Sequence, residues 1–134
     1  SFNFGHWDSQ QTKSGYQKNL EIIVGELRKT GAKLIWVTTC PVPNGYAKAS
    51  ALTAAGKAPG RKSGVMEKYM NPWAKQVISK YPEISISDQW QYCKDHEQDS
   101  FKQWWSGNNV HFNQQTAQHL GEFLAAHILQ VGSK

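Results

Sequence analysis

The stretch Gly107-Asn108-Asn109-Val110-His111-Phe112-Asn113 places a histidine in a polar loop directly ahead of a long apolar-striped segment. An imidazole with an ordinary pKa of about 6.5 takes up and returns a proton near neutrality, so a loop histidine backed by a rigid helix suits general-base chemistry. Near the other end, Asn3-Phe4-Gly5-His6-Trp7-Asp8 gathers an amide, a second imidazole, an indole and a carboxylate around one turn. A histidine alone in a loop is as often idle as catalytic, so the assignment depends on whether the fold brings these two stretches together. A nucleophile is not evident. No serine stands on a Gly-x-Ser-x-Gly turn, and neither Cys40 nor Cys93 has a local signature for pairing with His111. Ser9 follows Asp8 as a turn or cap residue.

The elements that must position these groups read as alternating strands and helices. Ser1 to Gly5 forms a short strand, and Gly5 to Asp8 the turn that leaves it. From Ser14 to Thr30 the apolar residues Tyr16, Leu20, Ile23, Val24 and Leu27 share one helical face, with Gly31 as the stop. Lys33 to Thr39 is continuously apolar in its centre and ends before Pro41 and Pro43, the pattern of a parallel strand covered on both faces. Residues 40–63 form a long, site-shaping loop with a short helical piece around Ala47 to Ala55. Val65, Met66, Tyr69, Trp73, Val77 and Tyr81 mark a second helical face, and Pro72 implies either a kink or a restart with Asn71 as the cap and Pro72 in the first turn. Ile84 to Asp88 is a third strand whose closing Asp88 reads as a helix cap or loop-organising residue, with a catalytic use the lesser alternative, and residues 89–107 are polar, aromatic and partly helical. Asn113 caps a last helix striped by Ala117, Leu120, Leu124, Ile128 and Val131. Ligands of open parallel sheets bind beyond the carboxyl ends of the strands, which is where Gly5 to Asp8, Thr39 to Pro43, Asp88 and the His111 loop should converge.

Composition bounds the rest. A chain of 134 residues with 39% hydrophobic content suits one domain with a moderate core, and 6 Trp, 5 Tyr and 5 Phe supply much of it. The net charge of +5 is scattered, and Ala58-Pro59-Gly60-Arg61-Lys62-Ser63 is the nearest thing to a basic cluster. That cluster reads as a solvated surface, with no motif for specific nucleic-acid recognition. No apolar run approaches a membrane span. The 2 cysteines have no metal-ligand spacing and are either one disulfide or two buried thiols, which leaves the compartment open.

In order, Phe4 to Asp8, the Tyr16 to Leu27 face, Leu34 to Pro43, Ile86-Ser87-Asp88, and Asn108 to Phe112 followed by a helix resemble the SGNH hydrolases, also called GDSL esterases. The resemblance spans nearly the whole chain and is specific through the order and spacing of its pieces. It implies a three-layer α/β/α sandwich on a parallel, flavodoxin-like sheet. It also implies hydrolysis of esters, including acetyl groups on carbohydrates, with no metal or other cofactor. Such enzymes carry the serine in a Gly-Asp-Ser block near the start of the domain, and neither that block nor the second one is present here. The chain thus looks like the C-terminal two thirds of one such domain, with the serine expected from a complementary N-terminal segment or chain. His111 matches the catalytic histidine. Asn108 stands where an acid would orient it, and an amide can hydrogen-bond the ring without offering a full negative charge. Asn3 takes the oxyanion position of an Asn-x-Gly-x-x-Asp block, Gly5, His6 and Trp7 are expected to line the substrate site, and Asp8 to hold the turn. The competing expectation is a non-catalytic SGNH-like carbohydrate-binding module with Trp7, Trp104 and Trp105 as its platform.

Overall fold

The computed structural model describes residues 1–48, 58–96, 104–107 and 109–133. Among them the chain is a mixed α/β fold with four α-helices and a small parallel sheet. Helix α1, Lys13–Arg28, begins at Thr12, whose hydroxyl accepts the Gly15 N–H at 3.1 Å. It buries Tyr16, Leu20 and Val24 at the spacing the sequence shows. Just past its end, Gly31 takes φ +71°, which releases the chain without a Cβ penalty.

Strand β1, Ile35–Val37, is buried at every position, as a strand covered on both faces should be. It pairs in parallel with β4, Ser85–Ser87, with Trp36 opposite Ile86. On its other side Phe2 forms one parallel bridge to Trp36: the Phe2 N–H donates to the Ile35 carbonyl at 3.0 Å and the Val37 N–H to the Phe2 carbonyl at 2.9 Å. The strand expected over Ser1 to Gly5 is therefore reduced to that bridge. Beyond it the Asn3 side chain takes the Val37 carbonyl at 2.6 Å, a position the backbone ladder would otherwise fill.

Between the two strands lie a hairpin and a helical layer. Strands β2, Ala47–Lys48, and β3, Arg61–Lys62, pair antiparallel. The helical piece expected around Ala47 to Ala55 is corrected at its start, because cross-strand bonding to Arg61 and Lys62 overrides the helix propensity of Ala47. Residues 49–57 lie outside the described residues. Met66–Met70 forms a π-helical turn that runs straight into α2, Asn71–Ile78. Pro72 has no N–H for the ladder, and the wider turn ahead of it, closed by the Asn71 N–H on the Met66 carbonyl, accommodates the ring without breaking the helix. Asn71 is accordingly not the expected cap. The backbone before it is already helical, and its side chain bonds elsewhere.

Asp88 caps α3, Gln89–Asp95, by accepting the Gln91 N–H at 3.0 Å, and also accepts the Thr38 hydroxyl at 2.8 Å. Asn113 caps α4, Gln114–Gly132, through the Thr116 N–H at 2.9 Å. The stripe expected to anchor α4 is only partly covered: Leu120 is buried, Leu124 and Val131 are half-buried, and Ala117 and Ile128 are exposed. Polar ties complete the attachment, with the Ser85 hydroxyl 2.6 Å from His127 Nε2 and Lys33 Nζ donating to the Val131 carbonyl at 3.0 Å. The main core lies between α1, α2 and β1, around Tyr16, Leu20, Trp36, Met66, Met70 and Ile78. Full burial of one such aliphatic side chain contributes roughly 1.5 to 3 kcal/mol.

Candidate functional site

The turn after the Phe2 bridge and the loop after β1 are joined by a side chain. His6 Nε2 lies 2.8 Å from the Cys40 carbonyl oxygen. A carbonyl only accepts, so the ring carries its proton on Nε2 and leaves Nδ1 as a lone pair. Burial lowers the His6 pKa below its ordinary 6.5 despite that bond, and the charges of Arg61 and His111 act in the same direction. His6 is therefore neutral at pH 7, within electrostatic reach of both residues.

The turn itself is tightly specified. The Asp8 N–H donates to the Gly5 carbonyl at 3.0 Å, and Asp8 accepts from Gln11 Nε2 at 2.9 Å. Desolvation raises the Asp8 pKa, which the Gln11 bond opposes. Gly5 is buried, and a Cβ built on it would stand 1.9 Å from Thr39 Oγ1 and 2.6 Å from Thr39 Cβ. No residue larger than glycine fits against that threonine. Asn3 Nδ2 donates to both the Val37 carbonyl at 2.6 Å and Thr39 Oγ1 at 2.9 Å, so both amide protons have partners. Its position braces the end of β1, and donation to a bound oxyanion requires exchange of one of those bonds. Tyr16 closes the turn from below by donating to the Phe4 carbonyl at 2.7 Å, and burial raises its pKa.

His111 sits on the return arm of a narrow hairpin. Trp105 and Phe112 form an antiparallel bridge, the Ser106 N–H donates to the His111 carbonyl at 2.8 Å, and the Asn113 N–H donates to the Trp104 carbonyl at 2.9 Å. Gly107 at φ +68° makes the bend, and the Asn109 side chain accepts the His111 N–H at 3.0 Å. The backbone is thus fixed while the imidazole is exposed and makes no side-chain hydrogen bond among the described residues. Asn108, the expected orienting residue, lies outside the described residues. Phe112 and Trp104 pack on a small second core of Cys40, Cys93 and Leu120, which ties this hairpin to the loop after β1.

The sequence-predicted residues separate into those the fold assembles and those it does not. Asn3, Gly5 and His6 meet residues 37–40 at the end of β1, Trp7 lies against Arg61, and His111 stands on the hairpin whose Phe112 packs with Cys40. Of the expected tryptophan platform only Trp7 is open, at 71% exposure, whereas Trp105 is buried and Trp104 packs between Tyr92 and His96. Both cysteines are free, buried thiols. Ser9 is buried and donates to the His6 carbonyl at 3.1 Å, in keeping with a turn role.

Arg61 is the residue that sequence reasoning misses. Its neighbours in the chain suggest a solvated basic cluster, yet it is only 6% exposed, and its guanidinium lies 3.8 Å from the centre of the Trp7 ring. The available signal is Gly60, which takes φ +81° and turns the chain inward at the start of β3. A separate cavity of about 290 Å³ lies against the β4 edge, lined by Trp36, Thr38, Asn71, Ile86, Asp88 and Trp90 among others, and none of the His6 and His111 cluster contributes to it.

Comparison with protein-family models, with curated proteins and with solved structures finds no match to this chain. What the arrangement offers chemically is a half-buried imidazole, an exposed imidazole on a braced loop, a guanidinium and an indole face, gathered where loops after parallel strands meet.

Proposed function

We propose that this chain is the histidine-bearing portion of an SGNH-type serine ester hydrolase, acting on a small-molecule or carbohydrate ester such as an acetylated sugar. The proposal includes the three-layer α/β/α sandwich of that family, of which the small parallel sheet with α1 and α2 against it would be one part. The observation that carries the reading is that the Gly5 to Asp8 turn and the His111 hairpin both meet the loop after β1, His6 at the Cys40 carbonyl and Phe112 against the core that holds the Cys40 side chain.

In this reading His111 accepts the proton of an attacking serine hydroxyl as the ester carbonyl is attacked, then returns it to the departing alcohol. A water molecule repeats the sequence on the acyl-enzyme. Asn108 orients the imidazole without a full negative charge, and Asn3 offers an amide N–H to the oxyanion after releasing one present partner. The serine belongs to a segment not in this chain. Among the described residues, no serine hydroxyl is hydrogen-bonded to His111.

The test is labelling of the protein, together with any segment that co-purifies with it, by a fluorophosphonate, alongside hydrolysis of p-nitrophenyl acetate. The expected result is a labelled serine on the accompanying segment and a loss of about 10² to 10⁴ in rate for His111→Ala. A folded, monomeric chain that neither labels nor hydrolyses removes the enzyme reading. The exposed Trp7 face would then favour a second one, a non-catalytic SGNH-like carbohydrate-binding module.

A further inference from the structure

Arg61 is a buried cation without a counter-charge. Its residue is 6% exposed, and among the described residues its guanidinium has neither a carboxylate nor a carbonyl partner, only the ring of Trp7 at 3.8 Å. A charge removed from water needs compensation, and an indole face compensates only part of it. The guanidinium nitrogens are not among the fully enclosed unpartnered polar atoms of the described residues, so part of the fork still reaches the surface and is open to an acceptor that arrives from outside.

The surroundings narrow what that acceptor is. Burial lowers the His6 pKa and the Arg61 charge acts in the same direction, so His6 adds no second positive charge beside the guanidinium near neutral pH. A planar guanidinium matches a planar carboxylate through two parallel hydrogen bonds. Trp7 presents the rest of its surface to solvent at 71% exposure while Arg61 covers one face, which leaves an aromatic surface of the kind that stacks on a sugar ring. The net charge of +5 adds long-range attraction for an acidic polymer.

We infer that Arg61 and Trp7 form a recognition site for the carboxylate and ring of an acidic sugar, so that the esters bound at the His6 and His111 edge are those of uronic-acid-containing carbohydrate. This substrate class rests on the hydrolase reading above, whereas the binding site stands on the Arg61 geometry.

The test uses the whole protein in isothermal titration with trigalacturonate, with neutral galactotriose and with galactose 6-phosphate, for the wild type, Arg61→Gln, Arg61→Lys, Trp7→Ala and His111→Ala. Expected are binding of trigalacturonate about tenfold or more tighter than of the neutral trimer, a loss of about tenfold or more in Arg61→Gln and Trp7→Ala, and retained binding in His111→Ala. Arg61→Lys should recover part of the affinity, since it keeps the charge and loses the fork. If circular dichroism shows Arg61→Gln unfolded, Arg61→Lys and the wild-type preference between acid and neutral trimers decide the matter. Equal affinity for the two trimers, or a folded Arg61→Gln with unchanged binding, overturns the inference. Tighter binding of the phosphate ester overturns the carboxylate assignment. Arg61-dependent binding without hydrolysis of acetylated trigalacturonate removes the hydrolase reading alone, and hydrolysis of p-nitrophenyl acetate without such binding removes this inference alone.

Discussion

Asn71 holds Thr39 by both ends of its peptide, accepting the Thr39 N–H on Oδ1 at 2.8 Å and donating from Nδ2 to the Thr39 carbonyl at 2.9 Å. A side-chain amide here does what a neighbouring strand would do, and it ties the exit of β1 to the first turn of α2. Replacement by alanine leaves both backbone groups without those partners. We expect Asn71→Ala to lower the unfolding free energy by about 2 to 4 kcal/mol, read as a shift of the urea midpoint at unchanged slope. A change below about 0.5 kcal/mol would mean that water replaces the amide at no cost.

Thr39 is also why position 5 must be glycine. A methyl group there collides with the β-carbon and hydroxyl of the threonine, neither of which can swing away, because the hydroxyl is held by Asn3. Gly5→Ala should destabilise by about 1 to 3 kcal/mol, the usual scale of overpacking. In a double-mutant cycle with Thr39→Gly, the pair should cost less than the sum of the two single changes. Simple additivity would show that the alanine is accommodated by backbone movement elsewhere.

His6 makes stability depend on pH below neutrality. Its folded pKa lies below the unfolded value of 6.5, so in the interval beneath 6.5 the unfolded chain binds a proton that the folded chain refuses. Stability is therefore full above that interval and falls as the pH is lowered through it. Asp8, whose folded pKa is raised above 3.8, acts with the opposite sign in a lower window, where the folded chain binds the extra proton. Urea titrations at pH 7 and pH 5 should show the wild type losing more stability on acidification than His6→Gln, which lacks the titrating ring. Identical slopes for the two proteins would contradict the burial of His6.

The thiols provide an independent check on the second core. The adjoining Cys93 thiol and burial hold the Cys40 pKa well above the ordinary thiol range, and both sulfurs are enclosed with Leu120. A disulfide reagent such as Ellman's should therefore react with two thiols rapidly in denaturant and with neither at a comparable rate in the native protein. Fewer than two thiols in denaturant would indicate a bond between them.

Periodicity reveals the helices because their apolar faces are local facts. Tyr16, Leu20 and Val24 are buried where the spacing puts them, and Thr12, Asp88 and Asn113 cap helices through bonds to residues three positions on. Of these caps, Asp88 and Asn113 are legible in the sequence. The behaviour of Asn71 and Ala47 is not, since each answers to a partner distant in the chain, Thr39 in one case and the Arg61 strand in the other. The same reason hides Arg61. Its charge suggests water, and Trp7, the ring that covers its guanidinium, is distant from it in the chain. Within the site, proximity of His6 to Cys40 is inferable from sheet topology, whereas the two amide bonds of Asn3 depend on the distance of closest approach between Gly5 and Thr39.

The parallel pairing of β1 with the Phe2 bridge on one side and β4 on the other governs how the chain reaches this fold. Asn3 meets Val37 across 34 positions, and Thr38 meets Asp88 across 50, so the ties between these parallel segments close long loops. The entropy of those closures is lost before the sheet bonds that offset it are made. Refolding should therefore take milliseconds to seconds, slower than a helical bundle of the same length, and α1 alone, without α2 and its Trp73 to pack against Tyr16, should be largely unwound in water.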